Sequence, residues 1–200
     1  MTAEPTSLEA TLKDEVLRMY QEVAEHPEGN FHFHHGRPAA LRFGYDPELL
    51  DQLPEGAVAS FAGVGNPHLR ATLAPGETVL DLGSGAGLDL LIAARRVGPE
   101  GRAIGVDTNP VMRAKAAAHA EAAGLEVEFV HGTMEALPVP DGSVDVVISN
   151  GVINLSFRKR RVLEEIFRVL KPGGRLSITD IVSAKQLSQS IVNDPKLWAS

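Results

Sequence analysis

From Thr78 to Val182 the chain keeps repeating one unit: a short run of β-branched and leucine residues, a turn, then a helical stretch. "TVLDLG" (78–83) precedes a helix over 88–97 and "RAIGVD" (102–107) precedes a helix over 110–123. "VEFV" (127–130), "VDVVISN" (144–150), a helix near 158–170 and "RLSITDIV" (175–182) complete the series. Parallel strands need long crossovers, usually helical, so this alternation predicts an α/β fold with a doubly wound, mostly parallel, Rossmann-like sheet. Pro110 suits a first helical turn, and Lys171-Pro172-Gly173-Gly174 reads as the stop after the last helix.

The segment before the repeat is different. Thr6 and Glu9 have capping-box spacing, and Leu8, Leu12, Val16, Met19, Tyr20 and Val23 recur at intervals near three and four, which predicts an amphipathic helix over 6–26. Between Gly29 and Pro67, Gly, Pro, Asn and His are frequent, and only "DPELLDQLP" looks helical. That stretch is expected to run over a surface or across a pocket. The division expected is therefore 1–67 as helix and lid, and 68–200 as the ligand-binding core.

Composition narrows the ligand. With 200 residues, 44% of them apolar, the chain can bury one core, while a net charge of -7 argues against a nucleic-acid backbone as partner. No cysteine is present, so disulfides, thiolate metal sites and cysteine nucleophiles are excluded within these residues, and no metal site is expected. Neither a basic-then-apolar leader nor a long apolar run stands out, which gives the expectation of a soluble, cytoplasmic protein with a small-molecule partner and no membrane contact.

In a doubly wound sheet, ligands bind beyond the carboxyl ends of the strands. The distinctive residues gather at that rim: Gly83, Ser84, Gly85, Ala86 and Gly87 after the first strand, Asp107 at the second, His131 to Glu135 after the third, Asn150 and Gly151 after the fourth, and Asp180 near the fifth. A dinucleotide fingerprint would place Gly or Ala where Leu88 stands; the spacing here is G-x-G-x-G. Asp81, two residues earlier, would repel a pyrophosphate but favour an ammonium or sulfonium. Asp107, with Thr108 beside it, can accept from both hydroxyls of an adenosine ribose. A nucleoside with a cationic tail fits, and S-adenosylmethionine has that shape.

"VLDLGSGAGLD", "IGVDTNPVM", "GTMEALPVPDGSVDVVISNGVINL" and "EIFRVLKPGGRL" together resemble the class I S-adenosylmethionine-dependent methyltransferases, with greatest similarity to the arsenite methyltransferase-like and quinone-biosynthesis-like branches, over residues 60 to 182. The resemblance implies that Gly83, Gly85 and Gly87, with Ser84, let backbone approach the methionine part. It implies that Asp81 attracts the amino group, Asp107 and Thr108 hold the ribose, and Thr133, Met134 and Glu135 border the adenine. Asn150 would face the methionine group and the transferring methyl.

Two departures stand out. Where arsenite methyltransferases carry arsenic-binding cysteines, this sequence has Val64 and Gly151, so a soft metalloid lacks its ligands and a different small acceptor is expected. The family's sheet also ends in an antiparallel hairpin, yet only about twenty residues follow "RLSITDIV", which suggests a truncated carboxyl end and an open sheet edge available to a second copy. A truncated metalloid methyltransferase and an inactive cofactor-binding protein are the alternatives.

Beyond the rim, "FHFHHG" offers His32 and His34 as candidate general bases and Phe31, with Tyr20, as candidate cofactor-covering aromatics. "RKRR" (158–161) precedes Glu164 and Glu165 at pairing distance and reads as a solvated face. Met112 and Met134 read as pocket or core packing.

Overall fold

The computed structural model describes residues 8–26 and 34–185. Phe31 and His32 lie outside the described residues. Five strands, β1 (Thr78–Leu82), β2 (Arg102–Asp107), β3 (Glu128–His131), β4 (Val144–Asn150) and β5 (Leu170–Thr179), form one sheet in the order β3-β2-β1-β4-β5. Every pairing is parallel. Strand order reverses direction beside β1, so the cleft at the carboxyl ends of β1, β2 and β4 is the switch point where such sheets bind ligands.

The central strands are apolar on both faces because helices cover both. Leu80, Leu82, Ile104, Val106 and Val147 pack with Val162, Ile166 and Val169 of α7 (Lys159–Val169). On the other face Val79, Val146 and Ile148 pack with Ala93 and Val97 of α5 (Leu88–Val97). Helix α6 (Pro110–Ala123) begins at Asn109, whose side chain accepts from Val111 and Met112 N–H, with Pro110 in its first turn. Helix α1 (Leu8–Glu25) lies against α6, with Val23 buried beside Met112 and Ala86. Among the described residues no helix is long and apolar enough to cross a membrane.

Two expectations need correction. Between residues 34 and 67 the chain forms three short helices, α2 (Gly36–Arg42), α3 (Pro47–Asp51) and α4 (Glu55–Ala59), rather than one. Ala39, Tyr45, Leu50, Val58 and Phe61 from this segment are buried against Leu88, Leu91, Ile92 and Ala120. Helices this short are marginal alone, so burial, which local sequence does not reveal, holds them.

The end of the sheet differs too. Helix α7 passes directly into β5 at Leu170, and Lys171 to Gly174 lie inside the strand as an irregularity: Leu170 pairs with Val144, but the next match is Arg175 with Val146. An edge strand tolerates Pro172, which has no N–H to give. The strand stops at Thr179 instead of Val182, because its ladder partner β4 ends at Asn150, opposite Thr179. Ile181 and Val182 are consequently exposed.

Candidate functional site

The turn after β1 is shaped by three glycines with positive φ, Gly83 (+64°), Gly85 (+52°) and Gly87 (+96°), in a conformation L-residues avoid. Two of them have different roles. A Cβ at Gly83 would come within 2.6 Å of Val152 Cγ1, whereas one at Gly85 would meet nothing closer than 4.0 Å, so Gly85 presents bare backbone to open space. Gly87 N–H donates to Ser84 C=O, closing the turn just before α5.

This turn forms the floor of a cleft of about 370 Å³. Asp81, Gly83, Ser84, Gly85, Gly87, Asp107, Thr108, Thr133, Met134, Glu135 and Asn150, all singled out from sequence, line it together. Tyr20 of α1 lines it as well, with Val16 and Leu17. His34 does not: it is exposed, and its Nε2 lies 2.6 Å from Arg42 Nη1.

Asp81 is 3% exposed, and burial pushes its carboxyl well above the usual range, with the neighbouring carboxylates of Asp89 and Asp107 adding to the shift. A buried acid surrounded by acids is a site that a cation would relieve. Asp107 accepts from Gly85 N–H (2.9 Å) and Asn109 N–H (2.8 Å). Burial raises its pKa and these bonds counteract part of the rise. The α6 cap is Asn109, which leaves Asp107 bound to the glycine turn and facing the cleft.

Ser84 Oγ is buried without a partner. Burial pushes the Tyr20 phenol up to about 12, with Asp180 and Asp107 contributing. Glu135 accepts from Ser156 Oγ at 2.5 Å, and Met134 packs against the α7-side core. Asp180 accepts from Asn154 N–H and Ile181 N–H.

Several residues at this site escaped sequence reasoning. Asp89, in the first turn of α5, lines the cleft and accepts from Tyr45 Oη at 2.6 Å and Asn150 Nδ2 at 3.0 Å. His68 Nε2 lies 3.1 Å from Asp89 Oδ1, off the hydrogen-bonding direction. Asp89 follows Gly87 by two residues, the one local signal that pointed to it. Val64 and Gly151 adjoin each other: a Cβ at Gly151 would lie 3.2 Å from Val64 Cγ1.

Comparison with known proteins matches residues 73–200 to a methyltransferase domain model. The chain is 48% identical to the arsenite methyltransferase of Halobacterium salinarum over 155 residues, which is 77% of this chain and 39% of that protein. It is 42% identical to the demethylmenaquinone methyltransferase of Thermus thermophilus over 52% of this chain and 47% of that one. The crystal structure of an arsenic(III) S-adenosylmethionine methyltransferase from Chlamydomonas reinhardtii superposes with a TM-score of 0.63 at 37% identity, covering 80% of this chain and 53% of the other. The chain thus spans about two fifths of the length of the arsenite methyltransferase relatives. With its parallel sheet, glycine turn and paired rim acids, the chain belongs to the methyltransferase-domain family of Rossmann-like folds, whose cofactor is S-adenosylmethionine.

Proposed function

We propose that this protein transfers a methyl group from S-adenosylmethionine to a small-molecule acceptor that is not a thiophilic metalloid. The observation that carries the reading is Asp81, a buried acid in a cleft where burial and the neighbouring acids all oppose its ionisation. A cationic ligand would supply the opposite charge that such a group lacks.

The residues fit the cofactor part by part. Asp81 would hold the methionine ammonium, with the unpartnered Ser84 hydroxyl and bare Gly85 backbone beside it. Asp107 retains lone pairs for two ribose hydroxyls after accepting its backbone N–H groups. Thr133, Met134 and Glu135 would border the adenine, and Tyr20 of α1 would cover the cleft. When bound, the cofactor supplies an electrophilic methyl on a sulfonium. The chain's own task is to orient an acceptor toward it and exclude water, for which no protein nucleophile is needed.

Val64 packs against Gly151, and with no cysteine in the sequence neither position offers a thiolate to arsenic. A carbon or oxygen nucleophile suits such a site better. A cytoplasmic setting, and pairing of β5, an edge strand among the described residues, with a second copy, belong to the same reading.

Calorimetry with S-adenosylmethionine and S-adenosylhomocysteine, followed by turnover with phenolic, quinol and arsenite acceptors, tests it. Binding with turnover of an organic acceptor is expected. Absence of binding, or arsenite-dependent turnover without added thiols, overturns it.

A further inference from the structure

The side-chain amide of Asn150 sits among six partners sorted by polarity. Its Oδ1 accepts from Val64 N–H (2.9 Å), Gly65 N–H (3.1 Å) and Thr179 Oγ1 (2.8 Å). Its Nδ2 donates toward Gly65 C=O (2.9 Å), Asp89 Oδ2 (3.0 Å) and Tyr45 Oη (3.2 Å). The two ends cannot be exchanged, because a reversed amide would face two backbone N–H groups with its own N–H. Tyr45 and Asp89 are both buried.

This knot ties the ends of β4 and β5, the first turn of α5 and the Tyr45 turn to one strap, residues 63–66. The fit is close: a Cβ at Gly63 would lie 2.3 Å from Asn150 Nδ2, and one at Gly65 would lie 2.8 Å from Thr179 Cβ. Gly63 and Asp89 both line the cleft. Along the rim Asp107 ends β2, Asp81 lies in β1 next to it, and Asn150 ends β4 on β1's other side. With a nucleoside toward β2 and a cation at Asp81, an acceptor approaches from the β4 side, where Gly63 of the strap is part of the wall.

We infer that Asn150 is a positioning residue. It fixes the strap of residues 63–66, and with it the acceptor wall, relative to the cofactor cleft, and its side chain does not hold the cofactor. This rests on reading the cleft as the S-adenosylmethionine site.

Asn150→Asp is a sharp probe because it is isosteric. It keeps an acceptor toward Val64, Gly65 and Thr179 but sets a second oxygen against the Asp89 carboxylate and Gly65 C=O. Asp81 on β1 is the next acid in this surround, Tyr45 offers only its hydroxyl oxygen, and His68 faces Asp89 from the far side. Protonation of the new acid restores one donor, so its defect shrinks as pH falls.

The experiment measures backbone amide exchange in the full ¹⁵N-labelled chain, together with S-adenosylhomocysteine affinity, for wild type, Asn150→Ala, Asn150→Asp and Thr179→Val. In the Asn150 variants, exchange at Val64 and Gly65 should accelerate roughly tenfold, with Gly85 unchanged and affinity within about threefold of wild type. For Asn150→Asp, the excess over wild type should narrow from about pH 8 to about pH 6. Should Asn150→Ala not fold, Thr179→Val, which removes one of the three donors to Oδ1, should show a smaller acceleration at the same two amides. Unaltered exchange at Val64 and Gly65, a pH-independent defect, or a tenfold or greater loss of affinity overturns the inference. Failure of the wild type itself to bind S-adenosylhomocysteine would instead overturn the functional reading.

Discussion

Asp107 and Gly85 are joined across the cleft floor: Asp107 Oδ2 accepts the Gly85 N–H at 2.9 Å while Oδ1 accepts from Asn109 at 2.8 Å. One carboxylate therefore shapes the glycine turn and faces the ligand. Asp107→Ala removes both roles and should weaken S-adenosylhomocysteine binding by about 10- to 100-fold, the worth of one or two hydrogen bonds to a charged group. Asp107→Asn, which keeps one acceptor oxygen, should lose less. Wild-type affinity in the alanine variant, measured by calorimetry, would remove Asp107 from the site.

Asp81 should make cofactor binding depend on pH. Its pKa is raised by burial and by Asp89 and Asp107, so the ionised form that attracts an ammonium becomes more populated as pH rises. Affinity should rise with pH through the raised pKa, with proton release visible as a dependence of binding enthalpy on buffer ionisation.

The same shift has a stability consequence of opposite sign. An acid with a raised folded pKa binds more protons folded than unfolded, so its contribution is fully present below about pH 4 and is lost as pH rises through the folded value. Asp81→Asn escapes that loss. At pH 8 the ligand-free variant should melt higher than wild type yet bind the cofactor more weakly; a lower melting temperature with intact binding would contradict both expectations.

Glu165, 2% exposed, accepts from Arg168 at 2.7 and 3.0 Å, from Arg161 at 2.9 Å and from Leu137 N–H at 2.8 Å. Hydrogen bonding from Arg168 holds its pKa low, so its stabilisation is present above its unfolded pKa and is lost as pH falls through the depressed value. Glu165→Ala leaves Leu137 N–H unpaired and two guanidinium groups without their shared acid. Denaturant unfolding at pH 7 should show a loss of about 2–4 kcal/mol that shrinks in acid. A loss below about 0.5 kcal/mol would mean that solvent replaces these bonds freely.

Val64 and Gly151 provide the test of acceptor chemistry. Val64→Cys combined with Gly151→Cys places two thiols side by side, since the Gly151 Cβ direction reaches within 3.2 Å of the Val64 side chain. The double variant should bind arsenite where wild type does not, despite strain of about 1–2 kcal/mol from a φ of +79° at residue 151. Equal binding by wild type, followed by competition with a dithiol, would show that arsenic does not need these positions.

What could be read from the sequence was local in its physical cause. The strands β1, β2 and β4 announce themselves as apolar runs because both of their faces are buried. The glycine turn, Asp81 and Asp107 were legible because they lie at strand ends, and in a parallel sheet the carboxyl ends of strands converge on one rim whatever the details of packing.

Tertiary structure decided the rest. Helices α2 and α4 exist because Ala39, Val58 and Phe61 find Leu88, Leu91 and Ile92 to bury against, a gain that no short window of sequence contains. Lys171 to Gly174 look like a stop signal, yet they remain in β5 because β4 offers a ladder on either side of them and, among the described residues, no strand pairs with the other edge. The hydrogen bonds of Asn150 reach Tyr45, Val64, Asp89 and Thr179, residues adjacent only after the sheet has formed. An amide is short and directional, so which partners satisfy it is settled by distances of about 3 Å that folding alone creates.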